Sequence, residues 1–221
     1  MKYYKIDFRT YFELDRVPSR AEGEKIPNAE DFFWKMNKGE IILNAPIFDY
    51  FYLKSFDKKE YWEWKLCDAL GFIGEGSQIR GWYISDDLKL LLENFNIALK
   101  YHFYETKLLY KERKLRYWIF QFPIEPYQNI DFKKSTFKLD QDDNVYGFQS
   151  EEEYLLFYRK EHRETKRKLK TIKVCLKDNF DIIYTTNNDI VVSEKLKNVI
   201  EENDIEGFEF SELDYEVGVR K

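Results

Sequence analysis

Apolar and polar residues alternate over residues 3–8 (YYKIDF), the period-two signature of a half-buried strand. A second kind of pattern occurs twice. Residues 82–97 run W-Y-I-S-D-D-L-K-L-L-L-E-N-F-N-I, and residues 190–205 run I-V-V-S-E-K-L-K-N-V-I-E-E-N-D-I. With Ser85 placed on Ser193, Leu88, Lys89, Glu93 and Ile97 fall on Leu196, Lys197, Glu201 and Ile205. Each copy reads as a short apolar strand, a serine, an amphipathic helix and a return into a strand. The serine suits an N-cap, because its hydroxyl can accept from a free N–H of the first helical turn. Asp86, Asp87 and Glu194 then sit where the helix dipole favours negative charge. Leu88, Leu91, Leu92 and Phe95, at i, i+3, i+4 and i+7, predict one apolar face, and Leu196, Val199 and Ile200 predict the same face in the second copy. Asn203 or the Gly207 region ends the second helix.

The remaining segments read as follows. Residues 15–28, punctuated by Pro18, Gly23 and Pro27, predict a loop, as does the glycine-rich stretch 71–81. Residues 41–43 and 47–53 predict strands on either side of Pro46, and 58–70 a helix with an imperfect apolar stripe. Residues 99–110 and 115–123 predict an antiparallel hairpin around the polar turn 111–114. Residues 130–132 and 136–139 predict short strands, and 141–144 a turn. A helix is expected over 151–170, capped by Ser150, with an apolar face (Tyr154, Leu155, Phe157, Tyr158) that fades into charge. Strands follow at 172–176 and 180–185, and the last at 207–213. Strands outnumber helices and most neighbours read as antiparallel. The predicted class is therefore α+β: a mainly antiparallel sheet with a few amphipathic helices, containing two related strand–Ser–helix–strand units. The 221 residues fit one domain, 1–221, with lobes 1–110 and 111–221 as the alternative division.

Composition narrows the class of protein. An apolar content of 43% with 19% aromatic residues provides for a substantial core despite 35% charged residues, which argues against disorder. A net charge of -5 makes nucleic acid an unexpected partner for the chain as a whole. Cys67 and Cys175 are too few for a disulfide framework, have no C-x-x-C spacing and read as buried thiols. The N-terminal stretch lacks the apolar segment of a signal peptide, and no apolar run approaches the ~20 residues needed to span a bilayer. The expected location is a reducing cytoplasm, with no membrane contact.

Catalytic signals are weak, and no cofactor or metal is expected. His102, between Tyr101 and Phe103, reads as a structural histidine. His162-Arg163-Glu164 has the H-x-E order of zinc deaminases without the P-C-x-x-C partner, and no H-E-x-x-H occurs. Gly71-x-x-Gly74-x-Gly76 is followed by no Gly-Lys-Ser/Thr, and residues 74–78 lack the second glycine of a nucleophile elbow. Adjacent carboxylates such as Asp86 and Asp87, or Asp142 and Asp143, carry little information among 41 acidic residues.

Two charge segregations remain. Arg159, Lys160, Arg163, Lys166, Arg167, Lys168 and Lys170 stand against only Glu161 and Glu164. This reads as a solvated helix face, with contact to an acidic partner or nucleic acid as the sharper alternative. Conversely, Glu201, Glu202, Asp204, Glu206, Glu209, Glu212, Asp214 and Glu216 fall in a stretch without Lys or Arg. They read as a solvated face or, more sharply, as the candidate partner-binding residues of a surface that captures a basic protein by electrostatic complementarity.

The run Asp189-Ile-Val-Val-Ser193-Glu-Lys-Leu-Lys, followed by Ile205-Glu-Gly207-Phe208-Glu-Phe210, resembles the closing signature of a bacterial immunity-protein family of polymorphic toxin systems. Tyr117-Trp-Ile-Phe-Gln and Ile130-Asp131-Phe132-Lys-Lys-Ser135 resemble its middle segment, and the first repeat copy resembles its earlier strand–Ser–helix element. The resemblance covers residues 81–213. Residues 1–80 have no counterpart in it, and the basic helix 151–170 departs from it. It implies a cytoplasmic, non-enzymatic protein that binds and neutralises a cognate toxin domain by occluding its active site or substrate groove. No active-site residue carries over. The rival readings are a small enzyme with an unrecognised carboxylate site and a nucleic-acid-associated protein using 159–170.

Overall fold

The computed structural model describes residues 1–9, 20–22, 29–54, 66–73, 81–140 and 142–220. Its elements, in chain order, are β1 (Tyr3–Phe8), β2 (Arg20–Glu22), α1 (Ala29–Asn37), β3 (Phe48–Lys54), β4 (Ala69–Leu70), β5 (Phe72–Ile73), β6 (Gly81–Ser85) and α2 (Asp86–Leu92). There follow β7 (His102–Tyr110), β8 (Arg113–Gln121), β9 (Thr136–Leu139), β10 (Val145–Tyr146), α3 (Glu151–Glu164) and β11 (Leu169–Leu176). The chain closes with β12 (Ile182–Tyr184), β13 (Ile190–Ser193), α4 (Glu194–Glu202), β14 (Phe208–Ser211) and β15 (Glu216–Val219). The strands form three sheets, ordered β12-β13-β1-β14, β10-β9-β11-β15 and β4-β6-β8-β7-β3-β2-β5. Pairing is antiparallel except at β11–β15, β2–β5 and β3–β7. The class is α+β.

The long hairpin at the centre of the largest sheet follows from its turn. Lys111 and Glu112 both take positive φ (46° and 64°), which matches the twist of a two-residue connection, and the register runs from Tyr110↔Arg113 to His102↔Gln121. Side chains alternate across this sheet. Trp82 and Ile84 of β6 and Phe120 of β8 enter one buried cluster with Leu88, Leu92, Leu196 and Ile200. Tyr83, Tyr117 and Ile119 enter a second cluster with Phe33, Met36, Phe48 and Phe51. Both faces of β6 and of the second half of β8 are therefore buried, which is why residues 82–84 (WYI) and 117–120 (YWIF) are continuous apolar runs.

A polar knot ties the segment around α1 to that sheet. Gln121, 1% exposed, donates to the carbonyls of Met36 (2.7 Å) and Glu40 (3.0 Å) and accepts from the Tyr104 hydroxyl (2.8 Å). Tyr104 in turn accepts from the Ile42 N–H (3.0 Å). Gln121→Leu is expected to destabilise by about 1–2 kcal/mol, because it removes three hydrogen bonds at a buried position, while the Met36 carbonyl keeps the Gly39 N–H (2.9 Å). A urea-denaturation midpoint measures it, and an unchanged midpoint would show that water replaces these bonds at no cost.

Several expectations need correction. Residues 41–43 form no strand: the Ile42 N–H goes to a side chain instead of a ladder, and Ile41 and Leu43 are exposed. Of 130–132, only Ile130 makes an isolated bridge, to Leu176. The chain then turns, closed by Ser135 Oγ on the Asp131 carbonyl (2.8 Å). The helix expected over 151–170 ends at Glu164. Thr165 caps it, giving both its N–H and its hydroxyl to the Glu161 carbonyl, and Lys166 adopts φ 60°. Leu169 and Thr171 are buried in β11, and that burial outweighs any continuation of the charged helix. Within 15–28, Arg20–Glu22 is a strand, and within 71–81, Phe72–Ile73 is one. The expected helix 58–70 falls largely outside the described residues, and its end, Ala69–Leu70, is a strand. The strand expected over 207–213 is limited to Phe208–Ser211, and β15 follows it, so it is not the last.

Candidate functional site

The two serines of the repeated pattern stand in the same local geometry. Ser85 Oγ accepts from the Leu88 N–H (3.2 Å) and donates to Asp68 Oδ1 (2.7 Å). Ser193 Oγ accepts from the Leu196 N–H (3.2 Å) and donates to Asp181 Oδ1 (2.6 Å). The serine N–H groups donate to the carbonyls of the same aspartates, at 2.8 and 2.9 Å. Lys89 pairs with Glu93 (2.7 Å) and Lys197 with Glu201 (2.6 Å), each one helical turn apart. Each lysine also lies over aromatic rings. Lys89 Nζ is 4.6 Å from the centre of Trp118 and 5.9 Å from that of Phe103, and Lys197 Nζ is 5.3 Å from Tyr4 and 5.6 Å from Phe210.

The second oxygen of each aspartate crosses to the other unit. Asp68 Oδ2 accepts from the Glu206 N–H (2.9 Å), just beyond α4. Asp181 Oδ2 accepts from the Asn96 N–H (3.0 Å), just beyond α2. Backbone bonds reinforce both crossings: Ala69 N–H to the Glu206 carbonyl (3.0 Å) and Asp181 N–H to the Asn96 carbonyl (2.6 Å). One carboxylate thus fixes the start of its own helix and the exit of the other. Tyr3 packs beside this knot, donating to the Phe180 carbonyl (2.9 Å). Burial, with the nearby Asp181 charge adding, pushes its hydroxyl up to about 12.

Held this way, α2 and α4 flank an open groove of about 830 Å³. Leu88, Leu92, Leu196 and Ile200 are the buried residues of the two helices. The single apolar face expected of each helix therefore splits. Leu91, Phe95 and Val199 are only half-buried and line the groove together with Ile205. Leu90, 52% exposed, lines it too, as do Asp87 one turn before it on α2 and Lys195 on α4.

The eight acidic residues singled out in the sequence do not form one bare surface. Glu201 is paired with Lys197, Glu212 with Lys2 (2.8 Å) and Glu216 with Lys173 (3.3 Å). The Lys2 ammonium holds the Glu212 carboxyl below its ordinary value, chiefly through that hydrogen bond. Glu206 contributes its N–H to Asp68. Glu202, Asp204, Glu209 and Asp214 are exposed with no ion pair among the described residues. Asp204 lines the groove, and Glu209 faces Asp7 in the β1–β14 ladder. Sequence reasoning missed Asp7, Asp68 and Asp181. The signal was present for the last two: each is an aspartate directly before a short apolar strand that pairs with a strand ending in serine.

The basic run divides as well. Arg167 pairs with Glu161 (2.8 Å) and Lys170 with Asp140 (2.7 Å), while Arg159, Lys160 and Arg163 are exposed on α3. His102 packs edge-on against Tyr104 at 4.5 Å, and burial holds it below its ordinary value. Among the described residues, no group of three or more His, Cys, Asp or Glu could hold a metal ion, and no helix is long and apolar enough to cross a membrane. No protein-family model matches the chain, and no curated protein matches it.

Proposed function

We propose that this protein acts without catalysis, as an immunity protein that binds a cognate bacterial toxin domain and occludes its active site or substrate groove. The observation that carries the reading is the set of exposed carboxylates without ion-pair partners among the described residues: Glu202, Asp204, Glu209 and Asp214; Asp7, beside Glu209, is paired with Lys5 (3.2 Å). Exposed unpaired charge of one sign raises the encounter rate with a surface of opposite sign. A basic partner, such as a domain that acts on nucleic acid, fits that field. The resemblance of residues 81–213 to an immunity-protein family supports the same reading, and cytoplasmic residence follows from it.

The test is co-purification with the C-terminal domain of a toxin encoded directly beside this gene, followed by binding measured at several salt concentrations. Charge reversal at Glu209 and Asp214 together is expected to weaken the complex by about tenfold at low salt and to slow association more than it speeds dissociation. Adding Glu212 is expected to contribute less per residue, because Lys2 already neutralises it. A complex indifferent to both salt and these reversals would rule out the acidic surface. Absence of any complex would remove the immunity reading.

A further inference from the structure

We propose that the groove between α2 and α4 is the anchoring site for a segment of the protein partner in which an apolar side chain lies next to an arginine or lysine. The inference deepens the toxin-binding reading and rests on it for the identity of the partner, but the groove has its own evidence. Asp87, Leu90, Leu91, Asn94 and Phe95 recur at i, i+3, i+4, i+7 and i+8, and Lys195, Val199 and Asn203 at i, i+4 and i+8. α2 with the turn after it, and α4 with its cap Asn203, therefore each turn one stripe into the groove, distinct from the stripe that each helix buries in the core. The lining is mixed: Leu90, Leu91, Phe95, Val199 and Ile205 supply its apolar part, none of them fully buried. The volume, about 830 Å³, lies within the range that holds one or two side chains of a ligand or a small molecule.

Charge decides which apolar segment fits. Asp87 and Asp204 line the groove with no ion pair among the described residues. Asp68, at its base, is already occupied by Ser85 and the Glu206 N–H. Among the described residues the one cation lining the groove is Lys195, which lies over the Phe95 ring, its Nζ 4.8 Å from the ring centre. A cation is therefore already accommodated against this lining, and two carboxylates remain for a second one. A guanidinium or ammonium flanking an apolar anchor meets both needs. The walls are pre-organised: each helix is pinned at its start by a serine–aspartate pair and at its exit by the aspartate of the other unit, so little ordering opposes binding.

The full-length protein, labelled with 15N, is titrated with two capped dipeptides that share an apolar residue, Ac-Phe-Arg-NH2 and Ac-Phe-Glu-NH2. The arginine peptide is expected to give saturable shifts confined to α2, α4 and the residues just after them. The glutamate peptide is expected to bind at least about fivefold more weakly, and the Asp87→Asn, Asp204→Asn double variant to weaken the arginine peptide by about the same factor. Both sites are exposed, so the variant keeps its fold, and its unperturbed spectrum elsewhere checks this. Absence of saturable shifts, shifts located elsewhere, or equal binding of the two peptides would overturn the proposal. Because the titration uses no toxin, a failed toxin co-purification would sink the immunity reading and leave the groove to be judged by its own result.

Discussion

Asp181→Ala is expected to lower the unfolding free energy by about 3–5 kcal/mol, since hydrogen bonds to a charged group are each worth about 1.5–3 kcal/mol and their partners are left unsatisfied. Asp181 is 7% exposed, and its two oxygens serve different units: one takes the Ser193 hydroxyl that caps α4, the other the Asn96 N–H beyond α2. Ser193→Ala removes the cap and the Ser193 hydroxyl bond to Asp181 but keeps the Asn96 bond, which predicts a loss of about 1–2 kcal/mol. The Ser193–Asp181 bond is lost in both variants, while the Asn96 bond is lost only in Asp181→Ala. Guanidinium unfolding gives both free energies, and hydrogen exchange at the Asn96 amide gives the local effect, with exchange accelerated in Asp181→Ala and unchanged in Ser193→Ala. Equal destabilisation by the two variants would mean that the crossing is worth no more than the cap that Ser193→Ala also removes. Asp68→Ala is expected to cost less than Asp181→Ala, because Asp68 is only half-buried and water can replace part of what it supplies.

What could be read in advance depended on the range of the interaction. The opening strand Tyr3–Phe8, the β7–β8 hairpin and the serine caps all follow from periodicity or from a hydrogen bond within a few residues, and each was readable; of the two ends open for α4, Asn203 and the Gly207 region, the structure has Asn203. The aspartates that organise the two units do carry a local mark, each standing directly before the short strand that pairs with its serine-ended strand, but their second partners lie 138 residues away for Asp68 and 85 for Asp181. No local pattern marks such a pairing. The α3–β11 boundary was misplaced for a related reason: charged residues carry no period, so only the burial of Leu169 and Thr171 decides where helix gives way to strand. The candidate surface was half readable. A stretch without lysine or arginine is visible in the sequence, but Lys197, one helical turn before Glu201, and Lys2 and Lys173, which arrive from elsewhere in the fold, neutralise part of it. The groove was hidden by a similar ambiguity. Leu91 and Leu92 look alike in a hydrophobic stripe, yet only Leu92 is fully buried.

Gly207→Ala tests the other crossing by steric means. Gly207 adopts φ +115°, and a Cβ there would sit 2.2 Å from the Ala69 carbonyl oxygen and 3.0 Å from the Ala69 N and C atoms. The obstruction is backbone, which cannot rotate aside as a side chain can. The backbone conformation is also one that L residues rarely adopt. The expected loss is about 3 kcal/mol or more, above the usual range for a surface glycine. Relief requires Ala69 to retreat, which breaks the Ala69 N–H bond to the Glu206 carbonyl (3.0 Å) and pulls Asp68 from the Glu206 N–H (2.9 Å). Gly207→Ala and Asp68→Ala should therefore be strongly non-additive, because both lose the same contact. Gly147→Ala is the matched control: a Cβ there meets nothing within 4 Å, and its effect should stay within about 0.5 kcal/mol. A Gly207→Ala protein as stable as the Gly147→Ala protein would mean that β4 and the α4 exit are not in contact. The same displacement bears on the groove, since the α4 exit carries Asp204 and Ile205 into its lining. Arginine-peptide binding should fall in Gly207→Ala under conditions where the protein is still folded, linking the close backbone approach at Ala69 to the shape of the site above it.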